Sequence, residues 1–142
     1  QRIVFEIVGG PAVHRLFRPL PRVTVVHPMK WPAFQAFMDM GGRDIGLAPL
    51  LPLPFNRARS CTKFFDITRC GAAGLFARES LCADVVRDGI DGLLLPMEEQ
   101  AWVETILQLA GDPERRRQLA AAAAERMRAA VAGAAPASRG DA

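Results

Sequence analysis

DIGLAPLLPLPFNRARSCTKFFD, residues 44–66, is the stretch whose order of residue types decides the fold class. Ile45, Leu47, Ala48, Leu50 and Leu51 form a mostly apolar run, as expected of a parallel strand covered on both faces. Pro49, Pro52 and Pro54 lack a backbone N–H and forbid a regular continuation, so the strand must give way to a loop at its C-terminal end. In open α/β sheets that end is where ligands bind. Ser60 is a suitable N-cap for a following helix, which is expected to stop at Gly71.

Helical spacing sets Ser60, Lys63 and Asp66 three residues apart, on roughly one face of the first two turns. Free N–H groups and the helix dipole attract anions there. Lys63 supplies a point charge for a phosphate, and the Asp66 carboxylate accepts hydrogen bonds from paired sugar hydroxyls. The same residues also read as a plain cap followed by a surface i,i+3 ion pair, an ordinary feature of helix surfaces.

Outward from that stretch, strands and helices alternate. Arg2 to Val8 reads as a strand that ends in Gly9, Gly10 and Pro11, and Arg22 to Val26 reads as a second. Trp31 to Met40 reads as a helix with Phe34, Phe37 and Met38 at i, i+3 and i+4. Ala72 to Ala77 is a short strand. Glu79 to Asp88 is a helix with Leu81, Cys82, Val85 and Val86 inward, and Gly92 to Leu95 is a last strand. Such alternation predicts an α/β fold with a parallel sheet and right-handed crossovers. Two helices finish the pattern: one has Trp102, Ile106 and Leu109 in a stripe, and the other opens on Asp112, Pro113 and Glu114. Arg115 to Arg117 read as a solvated helix face. One domain over residues 1–132 and a disordered tail over 133–142 are expected.

At 142 residues, half of them hydrophobic, the chain is long enough to bury roughly two thirds of its unfolded surface. A net charge of +3 spread over scattered arginines does not make a nucleic-acid footprint. No run of about 18 apolar residues is present, and the start does not resemble a signal peptide. Gln1 leads directly into a strand, so the chain is expected to be a piece of a longer protein. Cys61, Cys70 and Cys82 fit no metal spacing. They read as small reduced thiols, which favours a cytoplasmic location. His27, after the second strand, reads either as a ligand neighbour or as a loop histidine with a structural partner. Gly9 and Gly10 offer a turn near a phosphate, but without GxGxxG or a following acidic residue they do not make a dinucleotide site.

Taken in order, DIGLAPL at 44–50, FNRARSCTKFFD at 55–66, GAAGLFARES at 71–80, VVRDGIDGLLLP at 85–96 and the Trp102 helix before GDPERRRQLA resemble the C-terminal, donor-binding half of GT-B glycosyltransferases, the broad family 1-like and family 4-like group. The resemblance spans Arg2 to about Met127. It implies a Rossmann-like parallel sheet flanked by helices, here without the first strand of the donor half, and with two C-terminal helices. It implies transfer of a sugar from a nucleotide-diphosphate sugar to an acceptor, with no metal and no cofactor beyond the donor. On that resemblance Ser60 and the helix start hold the diphosphate, Lys63 assists, and Asp66 takes the ribose hydroxyls. Asn56 and Arg57 contact sugar or phosphate, and the Gly9-Gly10 turn lies near the nucleotide. The implied partner is an N-terminal acceptor-binding domain that these residues do not include, and peripheral membrane association of a longer protein fits the same group. Asp66 stands where glutamate is commoner, and Ala58 replaces the first glutamate of the family's E-x7-E pattern. An alternative is therefore a non-catalytic interaction or regulatory module that keeps the fold, and another is an epimerase-like enzyme sharing the ligand.

Overall fold

The computed structural model describes residues 2–57 and 60–134. The chain forms two compact units, Gln1–Met40 and Gly41–Ala142, and both are α/β with parallel strands.

In the first unit β1 (Phe5–Val8) and β2 (Val23–Val26) pair in parallel, with Phe5 opposite Val23 and Val8 opposite Val26. The crossover is α1 (Pro11–Phe17). Its start follows from Pro11, whose fixed φ suits the first helical turn. Gly9 has a packing reason: a Cβ there would meet the Val13 side chain at 2.6 Å. Helix α2 (Trp31–Asp39) follows β2, with Phe34, Phe37 and Met38 half-buried as the spacing predicts.

The second unit holds β3 (Ile45–Ala48), α3 (Pro54–Arg57), α4 (Thr62–Arg69), β4 (Ala73–Ala77), α5 (Cys82–Val85), β5 (Leu93–Leu95), α6 (Glu99–Gly111) and α7 (Pro113–Ala134). Its sheet runs β3-β4-β5, all parallel, with Ile45 opposite Ala73 and Leu75 opposite Leu93. The single sheet expected from the alternation is thus two, because alternation fixes which segments are strands but not which edges pair. A second correction concerns β3. It is half-buried, with Leu47 exposed, because in its sheet it pairs on one side with β4. The fully covered strand is β4, every residue of which is buried.

Alternation along β4 divides the core. Ala73, Leu75 and Ala77 pack with Trp102 and Leu109 of α6, which with the partly buried Ile106 are the stripe read from the sequence, and with Leu119 of α7. Gly74 and Phe76 take the other face, where Phe76 lies 6.0 Å from Phe64 of α4. Close helix–sheet approach on that face requires glycine: a Cβ on Gly46 would meet Ile67 Cγ2 at 2.5 Å. The Trp102 indole N–H donates to the Pro96 carbonyl at 2.8 Å, so its burial leaves no donor unpaired.

Helix α4 stops where expected. Gly71 has φ +75, the Gly71 N–H donates to Thr68 O, and the Ala72 N–H donates to Ile67 O. That pair of bonds is the Schellman arrangement. Helix α7 opens on Asp112, whose Oδ1 accepts from the Arg115 N–H at 2.9 Å.

The 115–117 run corrects the expectation of a solvated face. Arg115 donates to Gly89 O, and Arg116 donates to Leu109 O and Ala110 O and pairs with Asp44. Long arginines reach the carbonyls at the end of α6 and add donors to them. Only Arg117, paired with Glu114, matches the surface reading. Of the expected tail, Gly133 and Ala134 close α7, and residues 135–142 lie outside the described residues. No helix is long and apolar enough to cross a membrane among the described residues.

Candidate functional site

The C-terminal ends of β3 and β4 lead into α4 and α5, so the starts of these helices are the site positions a parallel sheet offers. A disulfide joins them: Cys61, the N-cap of α4, is bonded to Cys82, the first residue of α5, with Cα atoms 4.9 Å apart. This overturns the reading of Cys61 and Cys82 as reduced thiols, and with it the argument from cysteines for a cytoplasmic location. Spacing could not reveal the pair, because the two residues meet only once α4 and α5 are both seated against β4. Cys70 does behave as read. It is a buried free thiol whose Sγ–H donates to Ile67 O, and burial pushes its pKa up.

The structure moves the helix start by one residue. Cys61, not Ser60, is the N-cap, and no side chain caps α4. The reason is covalent: with its sulfur bonded to Cys82, Cys61 takes the turning position and Ser60 stays exposed one residue before it. The Ser60 carbonyl accepts the Thr62 N–H at 3.0 Å.

Lys63 and Asp66 do share a face, with Lys63 Nζ 3.4 Å from Asp66 Oδ2. Their exposures differ in a way that matters. The Lys63 side chain is 60% accessible and that of Asp66 only 13%. The carboxylate is therefore a partly desolvated acceptor beneath a more exposed cation.

Asn56 lies in α3, where its Nδ2 donates to Leu51 O at 3.0 Å and braces the proline loop. The backbone of Arg57 closes α3. Gly9, Gly10 and His27 belong to the other unit. Gly10 caps α1 with extended backbone. His27 stacks on His14, ring centroids 6.2 Å apart, which is the structural-partner alternative for that histidine.

Two features at the sheet's C-terminal edge escape the sequence reading. Arg78 follows β4 directly and donates to Leu94 O at 3.1 Å, which fixes a cation there. Ser80 Oγ donates to Ala77 O and accepts the Cys82 N–H, building the turn into α5. The serine after a strand was the available signal.

The most buried carboxylate of the unit is elsewhere. Asp91 accepts from the Arg87 N–H and Arg87 Nε at 2.7 Å each, and from Arg126 Nη1 at 3.1 Å. Arg126 also donates to Val85 O and lies over the Phe64 ring. With all its partners internal, Asp91 locks the turn before β5. Two open surface grooves of about 450 and 410 Å³ are lined by residues that include Arg87, Ile90 and Arg126 in one and Arg43, Arg116 and Arg117 in the other. Neither of these two grooves is lined by Ser60, Lys63 or Asp66. No cluster of metal-ligating side chains occurs among the described residues.

A scan against protein-family models finds no match, and neither does a search of curated proteins.

Proposed function

We propose that the Gly41–Ala142 unit is the donor-binding part of a glycosyltransferase, in which the start of α4 holds the diphosphate of a nucleotide-diphosphate sugar. The observation that carries the reading is the placement of Lys63 and Asp66, 3.4 Å apart, on the helix that follows a parallel strand's C-terminal end. A diphosphate above α4 draws Lys63 away from Asp66, freeing that half-buried carboxylate to accept from a ribose. The dipole of α4 and the cation stabilise the leaving diphosphate as charge develops on it. The nucleotide sugar is the only small molecule the reading requires.

The parallel order β3-β4-β5 within the second unit supports the Rossmann-like reading, because consecutive parallel neighbours are what one half of a doubly wound sheet contains. In this reading the acceptor binds a separate N-terminal domain, and the catalytic cleft lies between that domain and α4.

The test is calorimetric titration of nucleoside diphosphates and their sugars. Lys63→Ala is expected to weaken binding about tenfold, the loss of one charge-assisted contact, with the fold intact by circular dichroism. Equal donor affinity in both proteins would count against the assignment. A second reading, a non-catalytic module, is favoured by the Lys63–Asp66 pair satisfying itself and by Ala58 in place of a glutamate. Absence of binding by every nucleotide in the titration selects it.

A further inference from the structure

We infer that the Cys61–Cys82 disulfide is a redox-controlled fastener: a dithiol reductant releases the start of α4 from α5 and weakens the hold of α4 on a nucleotide diphosphate. The affinity part rests on the donor-site reading above, and the release of α4 does not.

The two ends of the bond are held unequally. On the α5 side Cys82 is also fixed by hydrogen bonds, its N–H donating to Ser80 Oγ at 3.2 Å while Ser80 Oγ donates to Ala77 O at 2.7 Å. Ala77 belongs to the fully buried β4, so this end stays in place without the sulfur bond. On the α4 side Cys61 has no side-chain cap bond. The backbone bonds described around it are short-range: Leu53 N–H to Leu51 O and Asn56 N–H to Leu53 O before it, Thr62 N–H to Ser60 O across it, and Phe64 N–H to the Cys61 carbonyl at 3.4 Å. Leu51, Leu53 and Phe55 in the same stretch are exposed and contribute little burial. Among the described residues the disulfide is the covalent tie between the α4 start and α5, and the next buried side chains along α4 are Phe64 and Ile67. The sulfurs are buried at rest, so reduction proceeds through local opening of the helix start.

The chemistry balances as thiol–disulfide exchange. One thiolate of the dithiol attacks a sulfur and displaces the other cysteine as a thiolate. The second thiol then resolves the mixed disulfide, leaving Cys61 and Cys82 as thiols and the reductant as a disulfide, two electrons transferred. In the oxidised form the first turn of α4 is already ordered for a ligand. In the reduced form that ordering falls to the binding event, which lowers affinity.

The test compares the full chain, oxidised and after incubation with a dithiol, by thiol labelling, amide hydrogen exchange and calorimetry with a panel of nucleoside diphosphates. Labelling under denaturing conditions should rise from Cys70 alone to all three cysteines. Exchange at Thr62 to Phe65 should speed by about tenfold or more while β4 amides are unchanged. Nucleotide affinity should fall roughly tenfold. A Cys61→Ser/Cys82→Ser variant should reproduce the reduced state without reductant; if that variant does not fold, the reduced wild-type protein carries the test. Three labelled thiols before reduction, exchange at α4 indifferent to reduction, or unfolding of β4 on reduction would each overturn the fastener. Faster α4 exchange with no nucleotide bound in either state would support the fastener and overturn the donor-site reading.

Discussion

Replacing Asp91 tests most directly how the second unit is held together. Its carboxylate is 1% exposed and accepts three hydrogen bonds, one from a backbone N–H and two from guanidinium groups. Asp91→Ala removes all three and leaves the Arg87 N–H facing a void. Breaking a buried ion pair by removing one partner costs about 3–5 kcal/mol when the other charge is stranded. Here the cations are not stranded, since the Arg87 side chain is 51% accessible and that of Arg126 34%. The lower end applies, about 3 kcal/mol, which for a unit of this size lowers the melting temperature by about 14 °C. Asp91→Asn should cost nearly as much, because the amide sets an NH2 group against arginine donors. Urea unfolding followed by circular dichroism measures both. A loss below about 1 kcal/mol for Asp91→Ala, the range of an exposed pair, would refute the claim that this carboxylate locks the turn before β5.

Other outcomes follow from the same geometry. Reducing the Cys61–Cys82 bond opens a loop of sequence separation 21 and should remove about 3 kcal/mol of stability in the chain-entropy account, read as a lower urea midpoint with the fold retained. Gly46→Ala should cost about 1–3 kcal/mol, because the new methyl meets Ile67 Cγ2 at 2.5 Å and the interleaved α4 must shift; an unchanged melting temperature would mean that α4 does not sit on β3 as described. Burial raises the Cys70 pKa above its ordinary 9.0, so the folded state favours the neutral thiol. Its stabilisation is present below the unfolded-state value and is lost as pH rises through the folded value. Alkylation of Cys70 near pH 8 should accordingly be much slower in the native protein than in the unfolded one, and equal rates would contradict the burial.

Much of the local structure was legible in residue order. Pro49 ends β3, Gly71 ends α4, Asp112 and Pro113 open α7, and Trp102 and Leu109 mark the buried stripe of α6. Each of these is a near-neighbour effect: a missing N–H, a left-handed φ, a cap, or a period of 3.6. Of the candidate site, the Lys63–Asp66 pairing was legible for the same reason, because three residues apart on a helix means neighbours. Ser60 was misread as the cap because Cys61 answers to a partner 21 residues away.

Sequence by itself therefore determined the α/β class, most of the element order and the helix that carries Lys63 and Asp66. Tertiary structure alone decided that the strands form two sheets, that β4 rather than β3 is the covered strand, that Asp91 is bound from both Arg87 and Arg126, and that Cys61 meets Cys82. The physical reason is range. Turns, caps and helical faces depend on a few consecutive residues, whereas strand pairing, charge burial and sulfur bonding depend on which surfaces exclude water together, and no local pattern records that choice.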